Sequence, residues 1–99
     1  MKETNMEPKA PYKYDNWYIP QRMMDGINRY LDYGIIPGSF LQAVICNDLM
    51  EAASRADTEN LNNLPAFVAF FYHHTPSGCR GSQKKMLAWH ERGGLTCKP

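Results

Sequence analysis

The sequence predicts an all-α protein, a compact bundle of about four short helices (about 20–33, 39–56, 58–74 and 82–92) behind a flexible N-terminal arm. Three observations predict it. Apolar residues recur at three- and four-residue steps in four stretches, the mark of a helix with one buried face. Residues suited to helix starts and stops flank those stretches. The one run with strand propensity, Phe67 to Tyr72, shows no period-two alternation and has no partner strand elsewhere.

Residues 1–16 are polar, with Pro8, Pro11 and scattered charge, and read as an arm outside the packed domain of residues 17–94. Pro20 suits the first turn of a helix over 20–33, because its missing N–H is not needed there, and Gly34 suits the left-handed residue past its end. Met24, Ile27 and Leu31, with Met23 and Tyr30 beside them, supply the buried face; Gly26 in mid-helix points to close approach by another element.

The stretch Ile36 to Asp57 reads as the central helix around which the others pack. Ser39 sits at its N-cap with Gln42 three residues on, and no Gly or Pro interrupts the run. Leu41, Val44, Ile45, Leu49, Ala52 and Ala56 form the apolar face; Asn47, Asp48, Glu51, Ser54 and Arg55 form a polar stripe opposite. Within the stripe, Glu51 and Arg55 stand in the favourable acid-before-base order.

Asp57 and Thr58 offer a cap for a third helix over 58–74, with Leu61, Leu64, Phe67, Val68 and Phe71 in helical period. Pro65 requires either a kink or a later start near Asn63, and a single kinked helix is the expectation. Thr75 to Gly81 is a turn-rich loop. Ser82 then opens a fourth helix that buries Met86 and Trp89 and ends at Gly93 and Gly94, leaving 95–99 as a loose tail.

Ninety-nine residues make one small core without a large internal cavity, so a ligand site belongs in a groove or between subunits. A formal net charge of +1 argues against a nucleic-acid partner, which needs concentrated positive charge. Cys46, Cys79 and Cys97 form no C-x-x-C spacing, and an odd count without a secretory signal points to reduced thiols in a cytoplasm. No stretch approaches the roughly 18 apolar residues of a membrane span.

His73, His74, Cys79 and His90 match no zinc spacing, and no group orients a Cys–His pair, so neither metal, cofactor nor enzymatic activity is expected. The turn at Asp57 has the outline of a helix-turn-helix, yet the helix after it lacks the Arg or Lys that DNA reading needs. The polar stripe fits a solvated face, or a site for a polar ligand or partner built from Asn47, Asp48, Glu51 and Arg55. Basic residues cluster in Arg80, Lys84, Lys85 and Arg92, with Ser82 among them, around the start of the fourth helix, which fits a solvated face or an anion site where free N–H groups and the dipole attract negative charge. Tyr18 belongs to a set of Tyr and Trp residues too large for four short helices to hide, which points to a ligand surface or a homo-oligomer interface.

The phrases PGSFLQAVICNDLMEAASRAD (Pro37 to Asp57), Pro76 followed by Gly81-Ser82, and a helix carrying Trp89 resemble a family of small proteins of tailed bacteriophages and prophages. The resemblance spans about residues 18–94. Before Gly81-Ser82, where relatives often carry an aromatic, this chain has Arg80. What the resemblance implies is a setting: small accessory phage proteins often act by binding, against host defence or on host regulation. The resulting expectation is a viral anti-defence protein that sequesters a small anionic ligand, such as a signalling nucleotide, in an oligomer. The alternative is a protein–protein inhibitor or regulator that binds a host enzyme through a helical face.

Overall fold

The computed structural model describes residues 12–96; the predicted arm up to residue 11, Cys97 and the end of the predicted tail lie outside the described residues. The fold is mainly helical: α1 (Gln21–Tyr33), α2 (Ser39–Ile45), α3 (Leu49–Arg55), α4 (Thr58–Asn62), α5 (Leu64–His74) and α6 (Gln83–Arg92). A small hairpin precedes them. Its strands, β1 (Lys13–Tyr14) and β2 (Trp17–Tyr18), pair antiparallel with Lys13 opposite Tyr18. Residues 13–18 are therefore structured, against the predicted arm through residue 16. Their turn is made by Asp15 at φ 57°, a left-handed conformation that Asp tolerates because its short side chain bonds locally.

The central helix is the main correction. Residues 39–56 form two helices, because Asn47 takes the left-handed conformation at φ 62°. Two hydrogen bonds close α2 there, Asp48 N–H to Ala43 O at 2.9 Å and Asn47 N–H to Val44 O at 3.1 Å. That pair of bonds is a Schellman motif, with Asn in the place glycine usually holds. Asp48 at once caps α3, its carboxylate accepting from the Glu51 N–H. An Asn-Asp pair thus ends one helix and starts the next without Gly or Pro. As a result the apolar face does not continue: Leu41 and Ile45 are buried, whereas Leu49 is 65% exposed.

Two further joints differ from expectation. Ser39 opens α2 as its first residue and makes no cap bond; Gln42 reaches back instead, Nε2 donating to Pro37 O at 2.9 Å. The predicted helix 58–74 is α4 and α5, separated at Asn63, and Pro65 falls in the first turn of α5, where its missing N–H is harmless. Asn63 fastens that joint. It is buried, its Nδ2 donates to Glu59 O, and its Oδ1 accepts from Tyr18 N–H, both at 3.0 Å.

The core gathers Ile19, Ile27, Tyr30, Phe40, Phe67 and Met86 from every part of the chain. Phe40 and Phe67 meet edge to face at 5.0 Å, a geometry that adds to burial. The predicted boundaries of α1 and α6 hold within a residue, with Gly34 and Gly93 left-handed at their ends and Ser82 capping α6. Gly26 lies against Leu41, whose Cδ1 would stand 3.6 Å from an added Cβ. Gly94–Thr96 form a short 3₁₀ turn on the end of α1, so this part of the predicted tail is docked.

Candidate functional site

The predicted site residues divide among three places. Asn47 and Arg80 come together. They stand with Gly81 at the rim of a groove of about 240 Å³ whose floor is Val44, Ile45, Val68, Phe71 and Tyr72. The corner at Asn47 and the loop after Cys79 meet here because Gly81 N–H donates to Ile45 O at 2.7 Å. The Arg80 guanidinium lies over the Tyr72 ring, 5.5 Å from its centroid. Such stacking is a favourable but weak hold at an exposed position. Arg80 Nη2 makes a long bond of 3.4 Å to Tyr72 O, and its buried Nε has no partner. Among the described residues no carboxylate pairs with it. Lys85, a member of the predicted basic cluster, also reaches this rim: its Nζ would stand 3.9 Å from a Cβ on Gly81.

Asp48, Glu51 and Arg55 line a different groove, of about 310 Å³, with Gln42, Cys46 and Met86. Arg55 Nε donates to Glu51 Oε1 at 2.8 Å, with both side chains about half exposed. Its charge is already answered, and the pair is worth about 0.3–0.5 kcal/mol. The break at Asn47 is what divides the predicted stripe. Ser82 spends its hydroxyl on the cap of α6, accepting from Lys85 N–H at 3.1 Å, and Lys84 stands exposed on the first turn of that helix.

Tyr18 belongs to neither groove. Its hydroxyl donates to Glu59 Oε2 at 2.6 Å, and Arg22 bridges Glu59 and Asp57, each at 3.0 Å. The network ties the hairpin and α1 to the start of α4. The Tyr18 hydrogen bond, then Arg22, hold Glu59 below the usual carboxylate range; the Asn60 N–H, then Arg22, do the same for Asp57. Donation to Glu59 raises the Tyr18 phenol in turn.

The surface that the sequence did not disclose is apolar. α5 is apolar almost all the way round, and its Ala66, Phe67, Ala69 and Phe71 side is buried. The other side is not: Val68 is 53% and Tyr72 67% exposed. Leu49 and Tyr14 join them around a further groove of about 410 Å³. A helix with two apolar sides is normally covered on both. Two advance signals were the Phe-Val-Ala-Phe-Phe-Tyr run, apolar beyond what one face needs, and the place of Tyr72 among the Tyr and Trp residues too many to hide.

The thiols are placed for packing. Cys79 is fully buried and Cys46 half-buried, and burial pushes both upward, away from the thiolate that nucleophilic work requires. Among the described residues no three His, Cys, Asp or Glu side chains gather as a metal-binding group, and no helix is long and apolar enough to cross a membrane. No protein-family model, curated protein or solved structure matches the chain.

Proposed function

We propose that this chain is a non-enzymatic binding protein that sequesters a small anionic ligand of nucleotide type in the groove between Asn47, Tyr72 and Arg80. The observation that carries this reading is the contrast among arginines. Among the described residues Arg22 and Arg55 have carboxylate partners and Arg29, Arg80 and Arg92 have none, and of these three Arg80 alone keeps a buried Nε without a hydrogen bond. A guanidinium in that state is matched by a phosphate, which can accept two of its donors at once. Lys85 adds a second positive charge at the rim, the exposed Tyr72 ring offers a flat face for a base, and the Asn47 amide offers both donor and acceptor. In the phage setting of the Pro37 to Asp57 phrase, such a protein would act in the host cytoplasm by withdrawing a signalling nucleotide from defence.

Calorimetry against cyclic nucleotides, cyclic dinucleotides and ADP-ribose derivatives tests the proposal. One of them should bind at micromolar concentration or below, and Arg80→Ala should weaken it by about 10- to 100-fold, the worth of a charged hydrogen bond. An absence of binding across the panel ends this reading. A second reading, inhibition or redirection of a host enzyme through a helical face, draws support from Leu49 and Met50, which are 65% and 80% exposed side by side on α3. Capture of a bacterial protein that is lost on Met50→Asp, with no small molecule bound, would favour it.

A further inference from the structure

The half-buried Leu64 and the exposed Val68 and Tyr72 follow one another at four-residue steps along α5, so Leu64 and Tyr72 lie about 6 Å either side of Val68 along the axis. The two ends of this ridge differ in charge. Asp48 shares a small groove with Leu64 and Val68, and Arg80 lies over Tyr72. An apolar ridge with an acid at one end and a base at the other is complementary to itself when turned end for end. A two-fold axis at Val68 sets Leu64 against Tyr72 of a second copy, and Asp48 against its Arg80. Side-by-side pairing in the same direction would oppose Asp48 to Asp48 and Arg80 to Arg80, so charge selects the antiparallel arrangement.

We infer that a second copy of this chain docks on the α5 ridge in this antiparallel fashion and, in doing so, walls in the Asn47–Arg80 groove. Val68 and Tyr72 line both the groove and the ridge, so whatever covers one reaches the other. The groove of one copy, about 240 Å³, falls short of the roughly 300–1,000 Å³ of ordinary small-molecule sites. A second copy supplies the missing side. Arg80 can serve both neighbours, because a guanidinium carries five donors and, of its two Nη groups, only Nη2 is engaged among the described residues. The walling-in rests on the ligand reading above; the pairing of copies does not.

Sedimentation equilibrium of the full chain without ligand tests the pairing. Dimers are expected at micromolar concentration, and Val68→Glu, at an exposed position, should give monomers with an unchanged circular dichroism spectrum. The charge register has its own test. D48R and R80D should each weaken self-association about tenfold or more, the scale of one desolvated like-charge contact, while an equimolar mixture of the two chains should form mixed dimers, both contacts being opposite in sign again. A monomeric wild type, or a mixture that associates no better than either variant alone, overturns the inference. So does a monomer whose α5 ridge is occupied by a different protein. A dimer that binds none of the nucleotides would overturn the proposed ligand and leave the pairing intact.

Discussion

The two sides of this protein are held by different means. Where α1 meets α6, side chains lock onto backbone: the buried Tyr30 hydroxyl donates to Cys79 O at 2.6 Å, Trp89 Nε1 donates to Tyr30 O at 2.9 Å, and His90 Nδ1–H donates to Gly34 O at 2.7 Å. Burial, the largest influence on Tyr30, pushes its phenol far above the ordinary range, so it is a donor at any working pH. On the side of α3 and α5, Leu49, Val68 and Tyr72 face outward and Arg80 Nε has no partner. Buried aromatic groups with every polar atom matched favour one rigid arrangement. Exposed apolar groups beside an unmatched cation have affinity left over. The difference marks the first side as the seat of stability and the second as the side on which binding is proposed.

Substitutions can break or sharpen that division, beginning with the largest effect. Trp89→Ala removes a buried indole and one of the two donors to Tyr30 O, the Gly34 N–H being the other, and should cost about 3–5 kcal/mol in urea denaturation. Tyr30→Phe keeps the ring and deletes one hydroxyl; the stranded Cys79 carbonyl should cost about 1–3 kcal/mol. Gly26→Ala moves the other way. The added methyl meets Leu41 at an ordinary contact distance, so the gain in helix propensity should raise stability by about 0.5–1 kcal/mol and lift the melting temperature.

A smaller effect concerns pH. Asp57 and Glu59 titrate below their ordinary range when folded, so the unfolded chain takes up protons first as pH falls. The stability they lend is complete at neutral pH, above the unfolded values, and ebbs as pH drops through the lowered folded ones. Arg22→Met should flatten that acid limb of a melting-temperature profile. Smallest of all should be Leu49→Ala, within about 0.5 kcal/mol because the side chain is exposed. A loss of 2–5 kcal/mol there would restore the buried central face that the sequence predicts.

What was legible in the sequence was local. Gly34, Ser82 and Gly93 announced the ends of α1 and α6 because each satisfies a backbone requirement by itself. The break at Asn47 was hidden, since Asn costs little inside a helix pattern and its left-handed state shows only through two backbone bonds to Ala43 and Val44. Once that corner is in place, Glu51 and Arg55 fall on one side of it, Asn47 meets Arg80, 33 residues further along the chain, on the other, and Asp48 lines grooves on both. Tyr18 proved to be a tie to Glu59, a partnership across 41 residues that no spacing could disclose. The paired strands were missed because two-residue strands carry no period.

One contact sets the order in which this chain can assemble. Gly34 and Gly94 meet backbone to backbone, so closely that a Cβ on Gly94 would stand 2.6 Å from Gly34 N. The His90 bond to Gly34 O holds that meeting once it is made, but the long stretch between the two glycines must first be brought to closure at an entropic cost that grows with its length. The last turn is therefore expected to dock late in folding and to detach early in unfolding. In kinetic terms, substitutions at this seam should quicken unfolding and leave the folding rate almost unchanged.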